Sequence, residues 1–144
     1  VRLRICRDLA ADPEAVWDDV RRIDTHVEWM ADAVSIAFRT AQRQGVGTEF
    51  TCLTRIGPLR TTDVMRVTEW DPPSVLGIEH RGAVRGRGRF TLRAAPGGTR
   101  FCWEEELRFP WWMGGPLGAQ VARPLLRRVW ARNLERLAAR FSGR

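Results

Sequence analysis

The sequence predicts an α+β domain in which a curved antiparallel sheet of about seven strands wraps one long C-terminal helix, with two short helices after the first strand. Three observations carry this. Between Val34 and Phe109 apolar residues recur with a period near two, interrupted by turn signals at QGVG, IGPL, DPPS, RGAV and APGGT, which divide the segment into about six strands. The intervals between them are too short for crossover helices, so neighbouring strands run antiparallel. Beyond Gly114-Gly115-Pro116 the spacing turns helical, with Leu117, Val121, Leu125 and Val129 four residues apart and Leu134 and Leu137 further along.

The elements follow in chain order. RLRIC alternates, Leu3 and Ile5 on one face and Arg2, Arg4 and Cys6 on the other, and reads as the first strand. Asp12-Pro13-Glu14 supplies an N-cap, a proline at the first helical position and an acid in the first turn of a helix carrying Val16, Trp17 and Val20. Asp24 reads as the N-cap of a second short helix bearing His26, Trp29 and Met30. The inward strand faces are Val34, Ile36 and Phe38; Phe50, Cys52 and Ile56; Leu76 and Ile78; Phe90 and Leu92; then Phe101, Trp103, Leu107 and Phe109. Pro124 is expected to kink the last helix or split it in two.

At 144 residues the chain is expected to form a single domain over 1–144, with a core large enough to need no disulfide or metal. Its 44% hydrophobic and 28% charged residues exclude disordered and membrane-embedded classes. No run reaches the length of a membrane span, and VRLRICRDLA lacks the apolar centre of a signal peptide, so a cytoplasmic location is expected. The net charge is +7 and all of the basic charge is arginine. The arginines are scattered along the chain instead of forming a block, which reads as codon bias and argues against a nucleic-acid partner. Cys6, Cys52 and Cys102 are odd in number and far apart, and read as reduced thiols.

Four segments together resemble a known family: the opening ICRDLAADPEAVWDDVRRIDTHVEWM, the central RVTEWDPPSVLGIE, the hairpin GRFTLRAAPGGTRFCWE and the terminal NLERLAARF. They look like the START-like SRPBCC superfamily, closest to its polyketide cyclase/dehydrase and lipid transport group. The resemblance covers nearly the whole chain. It implies a helix-grip fold, a seven-stranded sheet gripping the C-terminal helix around an apolar cavity for a lipid, polyketide or other hydrophobic small molecule. It does not imply one function, because the fold hosts carriers and enzymes alike.

Several residues are candidates for the chemistry of such a cavity. In FCWEEELRF the parity that turns Phe101, Trp103, Leu107 and Phe109 inward also turns Glu105 inward, unless a bulge substitutes Glu104 or Glu106. A carboxylate there serves as acid, base or ligand hook, or pairs with an arginine. His80 shares parity with Leu76 and Ile78 and is placed near the cavity mouth, where its ordinary pKa suits proton transfer; a satisfied structural role is the alternative. Arg66 is ambiguous, since either Val64 and Arg66 or Met65 and Val67 face in. The resemblance to aromatase/cyclase members implies that an inward Arg66 polarises a polyketide oxygen; those enzymes add a tyrosine, which this chain lacks. His26 and His80 have no ligand-spaced partners, so no metal and no cofactor is expected. VRGRGRF fits no phosphate loop; its inward Gly86 and Gly88 leave room for a ligand or let the strand bend, and Arg85, Arg87, Arg89 and Arg93 form an outer stripe.

The expected partner is therefore a hydrophobic small molecule, bound by a monomer or homodimer. Trp29, Phe50, Phe90, Trp103 and Phe109 are expected to line the cavity, together with Val121 and Leu125 of the last helix. Glu105, His80 or Arg66 fixes the ligand's polar end. A cyclase or dehydratase using Arg66 with Glu105 or His80 is the enzymatic alternative, and an interaction protein using the arginine stripe is a third reading. In FPWWMGG, Trp111, Trp112 and Met113 either cover the cavity entrance on a Gly114-Gly115 joint or staple the helix to the sheet rim.

Overall fold

The computed structural model describes residues 1–142; residues 143 and 144 of the expected single domain lie outside the described residues. Seven strands form one sheet in the order β1-β7-β6-β5-β4-β3-β2. They are β1 (Arg2–Leu9), β2 (Ala33–Phe38), β3 (Glu49–Ile56), β4 (Leu59–Asp71), β5 (Val75–Arg81), β6 (Arg85–Ala95) and β7 (Gly98–Arg108). Every neighbouring pair is antiparallel. β2 to β7 form a meander, and β1, the first element in sequence, closes the far edge against β7.

Helix α1 (Pro13–Val20) follows β1 as predicted, with the Asp12 side chain accepting from the Ala15 amide at 2.9 Å. Its Val16, Trp17 and Val20 are buried in the core. The second short helix differs from expectation. It is a 3₁₀ segment over Ile23–Glu28 that includes Asp24, and the residue before it, Arg22, makes no side-chain cap. Trp29 and Met30 come after it.

Two inward faces differ from the sequence reading. A register shift between Ala33 and Ser35 turns Val34 to solvent and buries Ala33 in its place. The larger difference is in α2 (Gly115–Ala139), which runs unbroken through Pro124, so of the two outcomes expected there, a kink or a split, the split is not present. Its buried residues are Gly115, Ala119, Leu126, Trp130, Asn133, Leu134 and Leu137. Val121 and Leu125, expected inward, are exposed. The reason is geometric. A strict four-residue spacing drifts about 40° per step around a helix of 3.6 residues per turn, whereas 119, 126, 130, 133 and 137 hold one line.

The cysteines also need correcting. Cys6 and Cys102 form a disulfide. They stand directly opposite each other in the β1–β7 register, with Cα atoms 4.1 Å apart, although 96 residues separate them in sequence. Spacing along the chain carries no trace of this neighbourhood. Cys52 is free and buried, and burial pushes its thiol pKa up to about 11, so it behaves as a core residue instead of a reactive thiol.

Between β7 and α2 the chain makes a 3₁₀ turn at Trp111–Met113 and then passes through Gly114 at φ 89°. Only glycine adopts that left-handed conformation at little cost, which accounts for the residue type at the joint. No helix of the described residues is long and apolar enough to cross a membrane.

Candidate functional site

A cavity of about 160 Å³ lies between the concave face of the sheet and α2. Its walls are mainly apolar: Phe50 and Met65 from the middle of the sheet, Phe90 and Trp103 from β6 and β7, and Leu126 and Trp130 from α2. Leu59, Phe109 and Met113 border it near the rim, where Leu59 is exposed and the other two are half-buried.

The aromatic wall is built in layers. Trp103 and Trp130 stack with ring centroids 5.2 Å apart, and Phe90 meets Trp103 edge-on at 5.5 Å. Trp29, predicted as a lining residue, is wholly buried behind this layer, against Phe90 and Trp103 at 5.8 and 6.0 Å, and does not reach the cavity surface. Trp112, the other aromatic expected over the cavity, is exposed; of WWM only Met113 lines it.

One polar pair stands out against these walls. Glu105 is buried and its Oε2 lies 2.8 Å from His80 Nε2, while Trp103 Nε1 donates to its Oε1 at 3.0 Å. Strand parity points to Glu105, and it is the glutamate that faces in; Glu104 and Glu106 lie on the outer face, near Arg4 and Arg2. The structure joins two candidates that the sequence places separately. Burial alone would lower the His80 pKa, but the charge and hydrogen bond of Glu105, with the Asp63 charge behind them, outweigh it and hold His80 above its ordinary 6.5. The imidazole therefore takes up a proton more readily than a free one.

Gly88 makes this arrangement possible. It faces Glu105 in the β6–β7 register, and a Cβ there would sit 2.6 Å from Glu105 Oε1. The room expected for a ligand at this glycine is occupied by the carboxylate. Gly88→Val is predicted to eject Glu105 from the pair and return the His80 pKa toward 6.5 or below, a change that NMR titration of the imidazole measures directly.

Two carboxyls escaped the sequence reading. Asp63 is buried on β4 and Asp32 sits between the 3₁₀ segment and β2; both line the cavity. Burial raises the pKa of each, against hydrogen bonds from Thr61 to Asp63 and from Asn133 Nδ2 to Asp32, the latter at 2.7 Å. Asp63 was within reach of the sequence: it shares parity with Met65 and Val67, one of the two options left open for β4. Asp32 lies outside the periodic segments and carries no such signal.

That same option places Arg66 outside. Arg66 is exposed on the outer face, opposite Glu49 and Glu79 in the neighbouring strands, so the guanidinium that a cyclase would aim at its substrate is absent from the cavity. The arginine stripe is likewise less free than its sequence implies. Arg89 makes a bidentate pair with Glu69 at 2.7 Å, and Arg87 lies 3.6 Å from Glu106.

Comparison with known proteins agrees with this architecture. The family described as polyketide cyclase / dehydrase and lipid transport matches residues 1–142. The chain belongs to this family. It is similar to the uncharacterized protein Rv1546 of Mycobacterium tuberculosis, 26% identical over 129 residues that cover 84% of this chain and 85% of that one. Among solved structures, TTHA0849 from Thermus thermophilus superposes with a TM-score of 0.74 at 17% identity, covering 95% of this chain and 91% of that one. XoxI from Bacillus cereus reaches 0.76 at 13% identity, covering 99% and 96%. At these identities the structures establish the fold, a helix-grip arrangement of sheet and C-terminal helix, as the family resemblance implied.

Proposed function

We propose that this member of the family binds a hydrophobic small molecule bearing an oxygen function, holding it between sheet and α2 as a carrier or sequestering protein. The observation that carries this reading is the buried His80–Glu105 pair on a mainly apolar cavity wall, to which Asp32 and Asp63 add two carboxyls. Replacing a buried ion pair by packed apolar residues of the same volume is often neutral or stabilising, so a pair retained on a cavity wall supports a role toward a ligand. In this reading the His80 ring nitrogen that is not bonded to Glu105 meets a carbonyl, enol or phenol oxygen and so orients one end of the ligand.

Volume limits the size of that ligand. A dry protein cavity of about 150 Å³ accepts a benzene-sized molecule. At about 160 Å³ the cavity suits a single substituted ring or the end of a longer chain, with the remainder emerging past Leu59, Phe109 and Met113.

Native mass spectrometry against 4-ethylphenol, a long-chain fatty acid and ethylbenzene tests the reading. The oxygen-bearing ligands are expected to be retained, and Glu105→Gln or His80→Leu to weaken 4-ethylphenol binding about tenfold while leaving ethylbenzene unchanged, the size of one charge-assisted hydrogen bond. Failure of all three to bind, or equal losses for both ethylbenzene and 4-ethylphenol, removes it. An enzymatic reading has one observation in its favour, the acid–base character of the same pair. Turnover of a poly-β-ketone mimic that disappears in Glu105→Gln would move the function from carrier to dehydratase or cyclase.

A further inference from the structure

The first half of α2 presents an apolar face that no described residue covers. Leu117, Val121 and Leu125, one turn apart, are 76%, 74% and 52% exposed, and Trp111 and Trp112 in the preceding turn are 86% and 56% exposed. Single exposed apolar residues are ordinary, but a contiguous set of large ones marks a contact surface.

The charge around it identifies the partner. Past Leu125 the same face continues into Arg128 and Arg132, and Arg123, Arg127 and Arg136 are also exposed on α2. None of the five forms an ion pair among the described residues, and Glu135 is the only acid in the helix. On the sheet, by contrast, Arg4, Arg87 and Arg89 all have glutamate partners. A second copy of this chain on the same face would set arginine against arginine. An anionic partner suits it, and one with an apolar layer beneath its charged surface suits the order of the stripe: tryptophans and aliphatic residues first, free arginines after them. That is the chemistry of a lipid leaflet, where indole rings settle at the interface, aliphatic side chains enter the acyl boundary and guanidinium groups meet phosphates.

We propose that this face docks the protein on an anionic lipid bilayer, with Trp111, Trp112, Leu117, Val121 and Leu125 inserted and Arg128 and Arg132 at the level of the phosphates. Phe109 and Met113, which flank the tryptophans in sequence, line the cavity, so the docked surface adjoins the cavity rim. The docking stands whatever the cavity holds.

Co-sedimentation with vesicles of phosphatidylcholine alone, and of phosphatidylcholine mixed with phosphatidylglycerol, tests it. The protein is expected to partition onto the mixed vesicles, weakly onto the neutral ones, and less as salt rises. Leu117→Gln/Val121→Gln/Leu125→Gln is expected to lower partition at least tenfold, and Arg128→Gln/Arg132→Gln about fivefold for each charge removed. All five positions are exposed, so thermal midpoints should stay at the wild-type value; the arginine pair serves as the test on its own where the apolar triple variant does not fold. The proposal is overturned by absence of partition onto the mixed vesicles, by partition that neither variant changes, or by a wild-type dimer that the apolar variant converts to monomer.

Discussion

Trp130→Ala is expected to destabilise the fold by about 3–5 kcal/mol, read as a lower urea midpoint at unchanged slope. The indole is buried on α2 and stacks on Trp103, which in turn packs against Phe90 and Trp29. Its removal deletes contacts on one side of the aromatic wall and merges the vacated volume with the existing cavity, so the surroundings have little means of collapsing into it. A loss of this size is a large share of the roughly 5–15 kcal/mol that holds a domain of this kind together. Trp130→Phe, which keeps a ring against Trp103, should recover a substantial part of it. Leu125→Ala, five residues earlier on the exposed face, should cost less than about 0.5 kcal/mol. Equal effects at 125 and 130 would mean that the face of α2 has been placed wrongly.

Acidification between pH 6.5 and 4 is expected to remove about 3 kcal/mol of stability through His26 alone. His26 is buried, its ring nitrogen Nε2 lies 2.7 Å from the Val20 carbonyl, and burial is the main cause that lowers its pKa from 6.5 to about 4, against the opposing effects of that hydrogen bond and of Asp19 and Asp24. The folded protein therefore resists a proton that the unfolded chain accepts at pH 6.5. The stabilisation is complete above pH 6.5, falls as pH drops toward 4, and changes no further below that. His80 has the opposite sign: its folded pKa is raised, so its contribution is complete below 6.5 and is lost as pH rises through the folded value. Of the two histidines, His26 thus contributes its slope on the acid side and His80 on the alkaline side. Urea denaturation of wild type and His26→Gln at pH 7, 5.5 and 4.5 separates the former from the general titration of carboxylates. Parallel curves for the two proteins would show that His26 titrates normally.

Much of the architecture was legible in the sequence because it depends on short-range rules. Asp12-Pro13-Glu14 starts α1 where a side-chain cap and a pre-set φ favour it, and the alternation in FCWEEELRF turns Glu105 inward beside Trp103 and Leu107 because side chains on a strand alternate whatever the rest of the fold does. Where one residue interrupts the period, the reading slipped. The shift at Ala33/Ser35 exposed Val34, and four-residue spacing in α2 pointed to the wrong face. In α2 the error had a further cause: Leu117, Val121 and Leu125 are large apolar residues that solvent accepts, while the small Ala119 and the polar Asn133 are among the buried ones. Hydrophobicity alone does not separate a face turned to the core from one turned to a partner.

By itself, then, the sequence determined the family, the order of strands and helices, and the inward direction of Glu105 and His80, all consequences of local periodicity and of motifs read in order. Only the tertiary structure decided that these two side chains meet at 2.8 Å, that Gly88 leaves the space for their contact, that Cys6 faces Cys102, and that Arg66, Val121 and Leu125 lie off the cavity. Each of those facts depends on the register between strands or on the rotation of a helix against the sheet. Both are settled by contacts between segments far apart in the chain, and no window of neighbouring residues contains them.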